Sequence, residues 1–328
     1  MQTRLWDRRL FAAAIAAAAA TALVAPASAQ SDYPTRNVTV VVPLGAGSAS
    51  DIIARIVLDQ VGRQMGKSFI IENRPGAGGS TGAGQVARAA PDGYTLLAYG
   101  ALGSANALYA KLPYDTMTAF APIIALGQQP LVLVTPPSKG YKTLGDLLAA
   151  ARAKPGALNY SSVGLGSSSH FGAERLLLAA GAKVQHVPFK GSADSVGEVV
   201  AGRVDFTFLP SAAVQPLVAE NKVVPLAVSA ERRTRLLPNV PTAAEAGVNN
   251  AVYTFYTGLF APAKTPGDII AKLHGEIVKA LDAPDVQGRM AKLGVEPMPM
   301  STAEFTKFFE ADVAANEQLG KLAGIQRQ

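Results

Sequence analysis

The sequence predicts an α/β fold in two domains with a ligand cleft between them. Three observations carry this. From residue 38 onward short β-branched runs alternate with amphipathic helical stretches, the pattern of a layered α/β domain with a mostly parallel sheet. A strand running into a proline-punctuated loop and then a helix occurs twice, in "QQPLVLVTPPSKGYKTLGDLLAAARAKPG" and in "YTFYTGLFAPAKTPGDIIAKLHGEIVKAL". A strand, a glycine loop and a helix start also recur as a unit, once in each expected domain. The two crossings predict a first domain of residues 30–132 and 253–328, interrupted by an inserted second domain of residues 133–252. Domains joined in this way are built to hinge.

Residues 1–29 are set aside before the elements are read. Arg4, Arg8 and Arg9 make a positive start, Phe11 to Val24 an apolar stretch, and Ala27-Ser28-Ala29 a small-residue cleavage pattern. The apolar run is shorter than the roughly 20 residues of a membrane-spanning helix. We expect export with cleavage after Ala29 and a periplasmic protein. The paired Arg8-Arg9 is also compatible with twin-arginine export.

Taken in order, "NVTVVVP" is a strand, and "SDIIARIVLDQVGRQMG" places Ile52, Ile53, Ile56, Val57 and Val61 at helical spacing before Gly66 closes the helix. "SFIIENR" is a second strand, "QVARAA" a helix after a glycine-rich turn, and "YTLLAYG" a third strand. "LNYSSVG" opens the second series, followed by "HFGAERLLLAAG", "KVQHVPFKG", "SADSVGEVVAGR", "VDFTFLP" and "VVPLAVSA".

Composition narrows the function. The 328 residues contain no cysteine, which excludes a thiol nucleophile, thiolate metal ligands and disulfides. His170, His186 and His274 lie too far apart for a metal motif, so no metal and no cofactor are expected. The formal charge of +6 comes from dispersed Lys and Arg, which suits a small anion and not a nucleic acid.

The chemistry is expected in two loops. "VVPLGAGSASDIIAR" and "YSSVGLGSSSHFGAERL" both place Gly-x-Gly-x-x-Ser between a strand and a helix. Glycine allows close backbone approach, and the first helical turn carries N–H groups with no internal partner, so each unit is a candidate anion site. Ser50 or Asp51 in the first unit and Ser168 or Ser169 in the second are the expected N-caps, leaving Ser48 and Ser167 free to donate. His170 and the segment Phe189, Lys190 and Ser192 are candidate neighbours of the anion.

The sequence also offers two other sites. A dinucleotide site would use Gly45, Gly47 and Glu72, but Ser50 stands at the third glycine position. A serine hydrolase would use Ser80 within Gly78-Gly79-Ser80-Thr81-Gly82, yet a nucleophile elbow needs the serine directly after a strand, and Pro75 and several glycines intervene. The discriminator is a histidine within hydrogen-bond reach of Ser80.

The segments "YPTRNVTVVVP", "ENRPGAGG", "AAPDGYTLL", "GSSSHFGAE", "HVPFKGSADS", "AGRVDF", "LPNVPTAAEAG" and "GLFAPAKTP" together resemble the periplasmic solute receptors of tripartite tricarboxylate transporters, the Bug proteins. The resemblance implies a type II periplasmic binding fold that closes on a small mono- or dicarboxylate without catalysis, and a monomer that delivers its ligand to integral membrane subunits. It implies ligand contacts from Leu44, Gly47, Ser48, Ser50 and Asp51, and from Gly166, Ser167, Ser168, Ser169 and His170, with Phe189, Lys190 and Ser192 nearby. The chain departs from the family where Leu44 replaces an aromatic residue and Gly47-Ser48 replaces a glycine pair.

Overall fold

The computed structural model describes residues 32–189 and 191–327; residues 1–31, Lys190 and Gln328, and with them the expected export segment, lie outside the described residues. The chain divides into Met1–Tyr33 and Pro34–Gln328, and the fold below is that of the second unit.

In chain order the strands and helices are β1 (Val38–Val42), α1 (Ala49–Met65), β2 (Phe69–Asn73), α2 (Ser80–Ala87), β3 (Thr95–Tyr99), α3 (Ala105–Leu108), β4 (Phe120–Thr135), α4 (Leu144–Ala153), β5 (Asn159–Ser162), α5 (Ser168–Ala180), β6 (Gln185–Pro188), α6 (Ser192–Val200), β7 (Phe206–Pro210), α7 (Ser211–Ala219), β8 (Val224–Val228), β9 (Thr254–Pro262), α8 (Gly267–Asp282), α9 (Pro284–Lys292) and α10 (Thr302–Leu322). All nine described strands join one sheet in the order β2-β1-β3-β9-β4-β7-β5-β6, with β8 also on β4.

β4 is the strand that links the two halves. Its residues Phe120 to Pro130 run antiparallel to β9, whereas Leu131 to Val134 pair with β7 and Val132 to Thr135 with β8. Only the outer strands are parallel: β1 with β2 and β3, and β5 with β6 and β7. The expectation of a mostly parallel sheet therefore fails at its centre, because β9 returns antiparallel between β3 and β4. β4 also carries Pro122 and Gly127, residue types that weaken an ordinary strand. Here the register shifts between Pro122 and Ile124 and between Ala125 and Gly127, so both residues sit at bulges.

Each half has its own core. Val41, Leu97, Phe120, Tyr256, Phe260, Phe305 and Phe309 fill the first, with α10 packed on β4. Val132, Val134, Val199, Leu209, Val214 and Val228 fill the second. Each fully buried large side chain contributes about 1.5–3 kcal/mol. A third, smaller cluster of Ala107, Leu108, Phe171 and Leu319 joins α3 and α10 of the first half to α5 of the second. It fixes how closely the two glycine loops approach.

Candidate binding site

After β1, the chain turns through Gly45, Ala46 and Gly47 and enters α1 with Ser48 as N-cap; after β5, it turns through Gly164, Leu165 and Gly166 and enters α5 with Ser167 as N-cap. Each cap serine accepts the amide of the third helical residue, Asp51 N at 3.4 Å and His170 N at 3.3 Å. The observed caps thus lie two or three residues before the expected ones in the first loop and one or two before them in the second. The reason is the glycine before each cap: Gly47 and Gly166 both take φ +79°, and this left-handed step starts the helix at the next residue.

The two turns face one cavity of about 740 Å³. Leu44, Gly47 and Ser48 line it from the first half, and Gly166, Ser167, Ser168, Ser169 and Ser192 from the second. A smaller recess of about 330 Å³ adjoins it through Gly47, Ser48 and Ser192. Volume alone does not single the cavity out, because a hollow bounded by Arg55, Arg63 and Phe69 measures about 790 Å³. What distinguishes it is the convergence of the N-termini of α1 and α5, joined by α6, which begins at Ser192 without a side-chain cap.

The remaining candidates do not reach the cavity. Ser50 is fully buried and receives a hydrogen bond from Thr257 Oγ1 at 3.4 Å. Asp51 lies behind the first loop, where it accepts from Gly47 N at 2.9 Å, Asn73 Nδ2 at 3.0 Å and Arg55 Nε at 3.1 Å. Burial opposes its ionisation, but these donors together hold its carboxyl below the ordinary carboxylate value. His170 lies behind the second loop, its Nδ1 accepting from Gly166 N at 3.2 Å. Phe189 packs on the second core, and Lys190 lies outside the described residues.

Sequence reasoning missed the rest of the wall: Ala77 and Gly78, Tyr99 and Ala101, Tyr109, Leu165, Leu209 and Pro210, and Phe255. Tyr99, Leu209 and Pro210 end parallel-type strands, where ligands of open α/β sheets gather, so position at a strand's end was the available signal. Phe255 stands near the start of β9 and reaches the same rim only because that strand runs the other way.

No charged side chain lines the cavity among the described residues. The amides of Ala49, Ser50, Ser168 and Ser169 have no acceptor among them either. Unpaired first-turn amides carry the positive end of the helix dipole, so the arrangement suits an anion held by backbone donors.

The hydrolase reading is corrected here. Ser80 donates to Ala77 O at 2.9 Å, while His170 meets Gly166, His186 meets Ser162, and His274 meets Met300 O. No histidine serves Ser80. Ser162 Oγ and His186 Nε2 do lie 2.6 Å apart, but Ser162 is fully buried and outside the cavity wall. No group of three His, Asp or Glu among the described residues could hold a metal ion.

The model of the tripartite tricarboxylate transporter family receptor matches residues 53–325. A UPF0065 protein from the gbd 5′ region of Cupriavidus necator is 34% identical over 332 residues, covering 98% of this chain and 99% of that one. Rpa4515 of R. palustris, solved with adipate, is 32% identical with a TM-score of 0.82, covering 90% of this chain and 100% of the other. The periplasmic binding protein BugD is 28% identical with a TM-score of 0.80 over 90% of this chain and 100% of its own. The fold is that of the two-domain periplasmic binding proteins, and the matched family is one of solute receptors and not of enzymes. The chain belongs to the tripartite tricarboxylate transporter receptor family.

Proposed function

We propose that this receptor captures a small organic carboxylate in the cavity between the two glycine loops and delivers it to the integral membrane subunits of a tripartite transporter. One observation carries the reading: unpaired amides from two helix N-termini, one in each half, face a cavity with no charged side chain among the described residues that line it. Charge-assisted hydrogen bonds from such amides contribute about 1.5–3 kcal/mol each, enough for several together to hold one carboxylate. The adipate held by the R. palustris relative supports a carboxylate as the ligand class.

The ligand contacts in this reading are Leu44, Gly47, Ser48, Gly166, Ser167, Ser168, Ser169 and Ser192, with Ser50 buried beneath them. Asp51 and His170 act from behind the loops. The first domain comprises residues 30–132 and 253–328, and residues 133–252 form the second. The switch of partners along β4 near Pro130 supports a hinge there. The protein is a monomer, exported to the periplasm and cleaved after Ala29.

The test is calorimetric titration with acetate, benzoate, malate and adipate. Wild type is expected to bind at least one of them. Gly47→Val, which forbids the left-handed step, and Ser168→Ala are each expected to weaken that binding. Carboxylate affinity untouched by both changes would show that the ligand sits elsewhere. Native mass spectrometry of co-purified acid identifies the physiological ligand.

A further inference from the structure

The two glycine loops share one backbone hydrogen-bond pattern. Ser48 N donates to Gly45 O at 3.2 Å, and Ser167 N to Gly164 O at 3.2 Å. The first helical bond runs from Ile52 N to Ser48 O at 2.9 Å and from Phe171 N to Ser167 O at 3.0 Å. In both loops the glycine before the cap donates its N–H to the side chain of the third helical residue, Asp51 in one case and His170 in the other. The glycine amide is turned to that side chain, and the amides of the first two helical residues have no acceptor among the described residues, those of Ala49, Ser168 and Ser169 belonging to residues that line the cavity.

The residue types differ, yet the local charge comes out the same. Asp51 is ionised but paired with Arg55, whose Nη2 lies 2.9 Å from its Oδ1. His170 can accept from Gly166 only through a bare Nδ1, as in a neutral ring. It is stacked on His186 with ring centroids 4.1 Å apart, a face that a second positive charge would oppose. The nearby carboxyl, Glu174, is engaged by the Tyr160 hydroxyl at 2.5 Å instead of by either imidazole. His186 in turn meets Ser162 Oγ, which accepts from Gly164 N at 3.1 Å, so the two imidazoles hold both glycines of the second loop.

We infer that Asp51 and His170 are matched positioning residues, each fixing its glycine loop without adding net charge, so that the helix N-termini stay unneutralised for the ligand. This rests on the carboxylate-receptor reading. An unpaired carboxylate at the third helical position would instead take the dipole's stabilisation for itself. Neither side chain lines the cavity, so their effect on affinity travels through loop geometry and electrostatics.

Two measurements test the inference. The first needs no ligand: amide hydrogen exchange of Gly47 and Gly166 in wild type, Asp51→Ala and His170→Ala, with the β1 and β5 amides as folding controls. Each variant is expected to expose its own glycine amide roughly tenfold or more, as loss of one hydrogen bond implies, and to leave the other protected. Unchanged protection of Gly166 in His170→Ala overturns the proposal. The second is adipate affinity by calorimetry. Arg55→Gln, which uncovers the Asp51 charge, is expected to weaken binding several-fold, and Asp51→Asn added to it to restore most of the loss. His170→Asp is expected to bind more weakly than His170→Asn, whose amide oxygen accepts the same N–H without charge. Equal affinities across these pairs overturn the electrostatic part. If wild type binds no carboxylate while the exchange pattern holds, the receptor reading fails and the positioning roles stand.

Discussion

Leu108 of α3 occupies the space where a side chain on Gly166 would begin, so a Cβ on residue 166 would collide with its Cδ1. The same helix region donates from Ser104 Oγ to Gly166 O at 3.2 Å. One half of the molecule thus rests directly on the glycine loop of the other.

A contrast between the two equivalent glycines follows. Both take φ +79°, but Gly47 has open space where a Cβ would stand and Gly166 does not. Gly47→Ala is expected to lose about 1 kcal/mol of stability from the left-handed backbone alone. Gly166→Ala adds overpacking of about 1–3 kcal/mol. Urea unfolding of the two variants checks the difference, and Leu108→Ala added to Gly166→Ala should recover part of it.

The stacked histidines predict acid sensitivity. Burial, with the neighbouring His186 ring, lowers the pKa of His170 to about 3 from the ordinary 6.5, and burial lowers His186 to about 4. The folded chain therefore refuses protons that the unfolded chain accepts. The stability these groups contribute is complete above about pH 6.5 and is lost progressively as the pH falls toward 3. His170→Asn should flatten the fall in urea midpoint between pH 7 and pH 4 relative to wild type.

Asp312 on α10 predicts the opposite slope. Burial pushes its carboxyl up to about 6 from 3.8, against hydrogen bonds from Tyr256 and Asn316 and the nearby charge of Arg175. Here the folded chain holds the proton longer, so the stability is present below pH 3.8 and lost as the pH rises through 6. Asp312→Asn should stabilise the protein by about 1–3 kcal/mol at pH 8 and change little at pH 4. Thermal melts at the two pH values check this.

Ser80 provides a control for the discarded hydrolase. Its hydroxyl ends on Ala77 O, so Ser80→Ala should lose about 0.5–1.5 kcal/mol at the start of α2. Ester hydrolysis in wild type that disappears in this variant would reopen the enzymatic reading.

Much of this molecule was legible locally. The β-branched run at Val38–Val42, the apolar run at Phe206–Pro210 and the periodic face of Ala49–Met65 announce their own conformations locally. The paired Gly-x-Gly-x-x-Ser loops announced where backbone amides would be left without partners, because that follows from where a strand stops and a helix starts. The N-cap residues were misread by one to three positions, since Ser48 and Ser50 are alike in the sequence and only the φ of Gly47 separates them.

The sequence by itself determined the alternation of elements and the two strand–glycine–helix turns, because hydrophobic period and glycine freedom act within a few residues. Only the tertiary structure decided that β9 returns between β3 and β4, that Phe255 and Tyr109 share a wall with Gly166, and that Asp51 and His170 stand behind the loops. The first two depend on segments up to about 200 residues apart, set by how apolar faces pack against one another. The third is a contact across four residues, which depends on the left-handed turn at Gly47 and Gly166.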